Sequence, residues 1–188
     1  MAPIIGFMRT MSKVNSEITR LLEPLTESRR NHTIEVGRKV SSVATLLPDH
    51  LRESAIAAGT LHDVGYGYPV LGFHPIDGAV LLEQKGYSRT VCHLVAFHSA
   101  ATVEAEVRGI DRAVFERFRV GRVPGIDWAS DVLWWADMTT GPSGETVTID
   151  ERLDDIRDRY EPGSIVRTAI SKSEPLLRAA VQRVQESM

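Results

Sequence analysis

Imidazoles and carboxylates can hold a divalent cation without any thiolate, and both recur in this chain at positions that read as interior. Six histidines are present: His32, His50, His62, His74, His93 and His98. The most informative is His62, which precedes Asp63 directly, at the end of a small-residue stretch and just before the glycine-rich run Gly65-Tyr66-Gly67. Adjacent side chains on a helix diverge by about 100°, yet both can reach one cation where the helix terminates into a site. Taken alone, the dipeptide is equally a histidine at a helix C-terminus beside a solvated aspartate.

The company it keeps decides the reading. His32 lies four residues before Val36 and so points to the same interior. His98 completes the inward face of Val91, Leu94 and Val95. Asp137 follows Leu133 by four residues, beneath Trp134 and Trp135, where a carboxylate is costly unless paired or metal-bound. A plain helical bundle has little reason to place these residues on apolar faces.

The elements that carry them read as helices. Val36, Val40, Val43 and Leu47 recur at spacings of three and four, marking an amphipathic helix from about Arg30 to Leu47, punctuated by Pro48 and Asp49. The alanine-rich stretch His50 to Leu61 follows, with Gly59 allowing close packing. Gly65 to Pro69 is a loop on turn chemistry. Pro75 fits the first turn of a helix ending near Lys85-Gly86, and Tyr87-Ser88 open the helix with Val91, Leu94, Val95 and His98 on one face. A polar stretch with Glu104, Glu106, Arg108 and Asp111 leads into a short helix around Val114 to Phe118, then a loop from Val120 to Gly125. Trp128 to Met138 is a buried helix, followed by the breaker Gly141-Pro142-Ser143-Gly144. Thr148 with Glu151 fits a capping box opening a helix with Leu153 and Ile156, and a last helix spans Ser173 to Gln185. Sustained strand-type alternation is missing. The predicted class is all-α, a compact helical bundle forming a single domain over residues 1–188, with a metal-binding core at about 30–140 and C-terminal helices at about 148–187. Those last helices complete the core, cover the site or pair with a second copy of the chain, a homo-oligomer; their pattern does not choose.

Composition bounds the function classes. With 188 residues, 43% hydrophobic and 25% charged, the chain has the balance of a soluble globular protein rather than a disordered or fibrous one. The single cysteine, Cys92, excludes an internal disulfide framework and a multi-thiolate zinc site. A net charge of -3 offers no overall basic surface, so no nucleic-acid partner is expected. The apolar run Pro3 to Met8 lacks a basic leader and adequate length, so no signal peptide is expected, and no segment approaches the roughly 18 apolar residues of a bilayer span. A cytoplasmic protein is the expectation.

The ordered set His32, His62-Asp63, Asp137 resembles the signature of the HD-domain superfamily of metal-dependent phosphohydrolases. "GTLHDVGYG" is similar to the strongest motif of that family and "WWADMTT" to its terminal aspartate motif, over about Arg30 to Thr140. His74 in "GFHPIDGA" and His98 in "VAFHSA" resemble the additional ligands of members that hold two metals. Those branches include cyclic-di-GMP phosphodiesterases, diadenosine tetraphosphate hydrolases, and mixed-valent di-iron oxygenases acting on inositol or phosphonates. The resemblance implies that Asp63 bridges two divalent ions, with His32, His62 and Asp137 on one and His74 and His98 on the other. Nitrogen and oxygen donors without sulfur suit iron or manganese, and less well zinc or nickel. A hydroxide shared by two cations about 3.5–4 Å apart would then attack phosphorus. On that reading Asp63 and His62 are the catalytic pair, no cysteine nucleophile is needed, and Cys92 is a small buried residue.

The expected activity is hydrolysis of a phosphoester or phosphoanhydride in a small nucleotide or related metabolite. The same ligands would serve a di-iron oxygenase, and a degenerate, non-catalytic HD binding domain is a third reading. Many relatives carry lysine where this chain has Tyr66, and tyrosine supplies no fixed positive charge. A polyphosphate or cyclic dinucleotide is therefore disfavoured, and Arg89 or Arg108 becomes a candidate phosphate-binding group. Tyr66, Arg38, Ser99 and Thr140 are the candidate substrate-binding residues, with Lys39 beside Arg38 and Thr139 beside Thr140. Phe73, Tyr66 and Tyr68 are candidate pocket-lining aromatics, Asp77 is a cap or orienting group, and His50 and His93 are read as surface residues.

Overall fold

Apolar residues three and four apart draw the chain into helices throughout residues 16–188, which the computed structural model describes; no strand forms among them. The run Pro3 to Met8 lies outside the described residues. Helical residues 16–22 form α1. It is followed by α2 (Glu27–Ser42), α3 (Asp49–Leu61), α4 (His74–Gln84), α5 (Arg89–Ala96) and α6 (Ala101–Arg108). Then come α7 (Ala113–Glu116), α8 (Ile126–Met138), α9 (Ile149–Arg159) and α10 (Ile165–Gln185). Short 3-10 turns at Ala44–Leu46, Val64–Gly67 and His98–Ala100 bend the chain between helices. No helix among the described residues is long and apolar enough to cross a membrane.

One apolar core joins these elements. Val36 and Val40 of α2 meet Leu51, Ala55 and Leu61 of α3, Leu133 and Ala136 of α8, and Leu177 of α10, all fully buried or nearly so. Helices α2 and α3 cross at Gly37 and Gly59, as Gly59 suggested. A Cβ on Gly37 would stand 2.1 Å from Thr60 Oγ1, so a side chain there would have to displace Thr60. This close crossing carries the first turns of α2 and the end of α3 to the same end of the bundle.

Several boundaries differ from the sequence reading, each for a local reason. Helix α2 begins earlier, because the Thr26 hydroxyl accepts from the Arg29 amide. The polar stretch at 104–111 is largely helical as α6, its Ala101 and Ala105 buried between polar neighbours. Helix α5 stops at Ala96, so His98 is not on its face; the chain turns through left-handed Ser99 (φ 45°) and Ala100 (φ 58°) instead. Helix α10 starts eight residues before Ser173 and carries Pro175 inside it, where burial of Ala169, Leu177 and Val181 outweighs the missing hydrogen bond. The capping box of Thr148 and Glu151 is present as read.

Gly65 seats the turn after α3 against α4. A Cβ there would fall 2.0 Å from the His74 carbonyl oxygen and 2.5 Å from the Gly78 amide, both rigid backbone. Gly65→Ala is expected to cost about 3 kcal/mol by overpacking, a fall in Tm of roughly 10 °C for a chain of this size. Thermal denaturation checks it; an unchanged Tm would mean that the turn does not sit on α4.

Candidate metal centre

Three helix ends, the first half of a fourth helix and one turn bring buried polar groups to a single point. His32 comes from the first half of α2, His62 and Asp63 from the end of α3, His74 from the first residue of α4, His98 from the turn after α5, and Asp137 from the last turn of α8. Five of the six are buried by whole-residue exposure, and the His74 side chain is 13% exposed.

Backbone carbonyls fix the imidazoles. His32 Nδ1 lies 2.9 Å from the Gly141 carbonyl, His62 Nδ1 2.9 Å from that of Gly59, and His98 Nδ1 2.6 Å from that of Val95. A carbonyl only accepts, so each Nδ1 carries a proton; the Nε2 atoms of His62 and His98 then turn a lone pair inward, while His32 Nε2 is hydrogen-bonded to Asp137 Oδ1. That arrangement is the usual outer support of a metal-ligating histidine. The Gly141–Gly144 breaker thus has a positive role: it delivers the carbonyl that orients His32, and it is held to α2 by a 2.6 Å bond from the Ser28 hydroxyl to the Pro142 carbonyl.

The inward atoms form two overlapping groups. One ligand atom each from His32, His62 and Asp137 lie within 4.8 Å of one another, and so do those of His62, Asp63 and His98. His74 Nε2 stands 3.2 Å from His98 Nε2 and 3.4 Å from Asp63 Oδ1. Asp63 Oδ1 is also 3.6 Å from His62 Nε2 and 3.9 Å from His98 Nε2. Asp137 Oδ1 is 3.1 Å from His32 Nε2 and 3.8 Å from His62 Nε2. His62 Nε2 is buried with no hydrogen-bond partner. A buried, unpaired lone pair facing two carboxylates is a costly arrangement for a structural core and a fitting one for a cation ligand, so the residues present suit a bound divalent metal.

Electrostatics agree with that. Burial pushes His62 and His74 below the ordinary histidine value and so keeps them neutral, the state that ligates. Burial also opposes charge on the carboxyls, but His62, His74 and Arg29 outweigh it at Asp63, and the His32 hydrogen bond with His62 outweighs it at Asp137. Both remain ionised well below the usual range. His32 moves the other way: burial lowers it, the hydrogen bond with Asp137 more than compensates, and its pKa rises.

The other candidates divide. The Ser99 hydroxyl donates to Asp137 Oδ2. Tyr66 stacks on His74, ring centroids 4.0 Å apart, with the Arg29 guanidinium 3.7 Å from its opposite face and paired with Asp63 Oδ2. Both residues line a cleft of about 800 Å³, its mouth included, that opens beside the cluster. Arg38 does not line it; its exposed side chain pairs with Glu35 at 2.6 Å, one turn away on the solvent face of α2. Thr140 does not line it either, because its hydroxyl closes α8 on the Ala136 carbonyl at 2.7 Å. Lys39 is buried and donates to the Thr139 carbonyl, so it too serves the end of α8. Arg89 and Arg108 lie outside the cleft, the first on the Arg119 carbonyl and the second on Glu104. Phe73 is buried in the core, and the Tyr68 hydroxyl faces the Arg20 carbonyl elsewhere. Asp77 holds the Leu71 and Phe73 amides, ordering the loop before His74.

His50 is exposed, but His93 is buried, its ring 4.6 Å from Phe97: every residue of α5 from Val91 to Ala96 is covered, so no face was left for the surface. Burial raises the Cys92 thiol to about 11, which makes it an inert filler of the core.

A family model of the HD domain matches residues 29–162. The chain belongs to the HD-domain family. HD domains bind divalent metals and are typically metal-dependent phosphohydrolases, in keeping with the buried histidine and aspartate groups of this chain. No curated protein and no solved structure matches it.

Three arginines of the cleft, Arg29, Arg152 and Arg159, were missed in the sequence. Arg29 was findable, lying one turn before His32 on the same face of α2.

Asp63→Ala is expected to reduce bound metal by at least tenfold when the purified variant is analysed by elemental mass spectrometry. A variant that retains the wild-type metal content would remove Asp63 from the ligand set.

Proposed function

We propose that this HD domain is a dinuclear metal-dependent phosphohydrolase, holding two divalent ions, iron or manganese, through His32, His62, Asp63, His74, His98 and Asp137. The observation that carries the reading is the convergence of histidine Nε2 atoms on Asp63 Oδ1 and Asp137 Oδ1, with His62 Nε2 left unpaired by the protein. Asp63 lies between the two groups of histidines, as a shared ligand would. Bound divalent ions supply Lewis acidity and a water acidic enough to attack phosphorus at neutral pH.

The chain's own residues do the rest. The Nδ1–carbonyl bonds fix the imidazole tautomers, so no proton has to leave the inward nitrogens of His62 or His98 before they ligate. The Ser99 hydroxyl orients Asp137 by occupying its outer oxygen. Tyr66, standing where many relatives carry lysine, packs His74 in place and supports Arg29 on its other face. Arg29 thereby returns a positive charge to the mouth of the site from a different helix. With Arg152 and Arg159 it makes that mouth cationic, which suits an anionic phosphorus centre. The substrate is a phosphoester or phosphoanhydride of a small nucleotide or related metabolite.

The test is turnover of a panel of phosphomonoesters and nucleotides by protein loaded anaerobically with manganese or iron. Release of inorganic phosphate at equal rates with and without dioxygen is expected, together with its loss on chelation. Oxygen consumption without phosphate release would contradict the reading. Under the same proposal His74→Ala retains the His32, His62 and Asp137 group but drops the metal content from two ions per chain toward one.

A further inference from the structure

Arg152 stands out among the cations of the cleft. It projects from α9 with a side chain only 12% exposed. Its Nη2 lies 3.9 Å from Asp137 Oδ1, too far for a hydrogen bond, and its Nη1 reaches Asp155 Oδ2 at a long 3.4 Å. Its Nε is buried with no partner. A guanidinium has five N–H donors in a planar fork, and burying it underpaired is costly unless an acceptor completes the fork. The other two arginines of the cleft are engaged. Arg29 pairs with Asp63 and lies over Tyr66, and Arg159 binds Asp155 at 2.6 Å. Glu104, at the rim, is held by Arg108.

The wall beyond Arg152 is of a different kind. Ile156 of α9 and Val166, Ala169 and Ile170 of α10 line the same cleft, with Tyr160 at the join between the two helices. Arg152, Ile156 and Arg159 fall at i, i+4 and i+7, so one face of α9 turns from charge to hydrocarbon and back.

We propose that Arg152 binds the phosphoryl group of the substrate beside the metal-ligand cluster, and that α9 and α10 hold an apolar or aromatic organic group against Ile156 and Ile170. The substrate class is then a phosphate monoester with a single phosphoryl group. Among the described residues lining the cleft, one underpaired guanidinium matches one phosphoryl group: Arg29 and Arg159 are committed to Asp63 and Asp155, and the wall between Arg152 and Arg159 is hydrocarbon, which leaves no second free cation for a di- or triphosphate. This assignment rests on the phosphohydrolase reading for its chemistry, but its test does not depend on turnover.

Calorimetric titration of manganese-loaded protein with inorganic phosphate, phenyl phosphate and pyrophosphate provides that test, with metal content and Tm measured alongside. Wild type is expected to bind phenyl phosphate more tightly than phosphate or pyrophosphate. Arg152→Met is expected to weaken both phosphate and phenyl phosphate by at least about tenfold, the lower end of what a charged hydrogen bond is worth, while keeping its metal and its Tm. Arg152→Lys, which restores charge without the fork, falls between them. Ile170→Asp is expected to weaken phenyl phosphate but leave inorganic phosphate within about threefold. Unchanged phosphate binding in Arg152→Met, or binding lost together with metal or Tm, overturns the proposal, as does wild-type protein that binds no phosphate. Arg152-dependent binding without hydrolysis of any monoester upholds the proposal and removes the phosphohydrolase reading. Hydrolysis indifferent to Arg152 does the reverse.

Discussion

The constraint on which this structure depends is the cost of gathering four imidazoles and two carboxylates inside a helical core. These groups are largely buried, and apart from the His32–Asp137 hydrogen bond the protein satisfies mainly their outer halves. Carbonyls of Gly141, Gly59 and Val95 take the Nδ1 protons, and Ser99 and Arg29 take the outer carboxylate oxygens. The inner atoms are left facing one another at 3.1–3.9 Å. Such a cluster is tolerable in a folded protein if something positive completes it.

Much of the fold can be understood as the means of holding that cluster. The glycine-to-glycine crossing of α2 and α3 sets His32 and His62 edge to face, with ring centroids 5.3 Å apart. The bare backbone at Gly65 lets α4 approach closely enough for His74 to reach Asp63. Buried Lys39 closes the end of α8 just past Asp137. Each of these devices serves position rather than chemistry, which is why substitutions far from any ligand should still disturb metal binding.

The residues of the buried cluster were legible because burial and polarity conflict visibly in a sequence: a histidine or aspartate on an apolar stripe announces itself. The helical class was legible for the same reason, since spacings of three and four run almost the length of the chain. What failed were inferences that needed a third dimension. His98 is read on the face of α5, but it lies past the end of that helix, followed by two consecutive left-handed residues that no propensity would suggest. Arg38 is suggested by its place on the His32 helix and Thr140 by its place just after Asp137, yet helix geometry turns one to solvent and the other onto its own backbone. Arg152 and Arg159 come from a helix beyond the recognisable motifs, and only the packing of α9 and α10 beside the end of α8 reveals that they face the cluster.

Crystals of the manganese-loaded protein, measured above and below the manganese absorption edge, address the central claim most directly. The account predicts two anomalous peaks, one among His32, His62 and Asp137 and the other at His74 and His98, with Asp63 touching both. Anomalous density absent from this cluster, or lying elsewhere in the molecule, would contradict it.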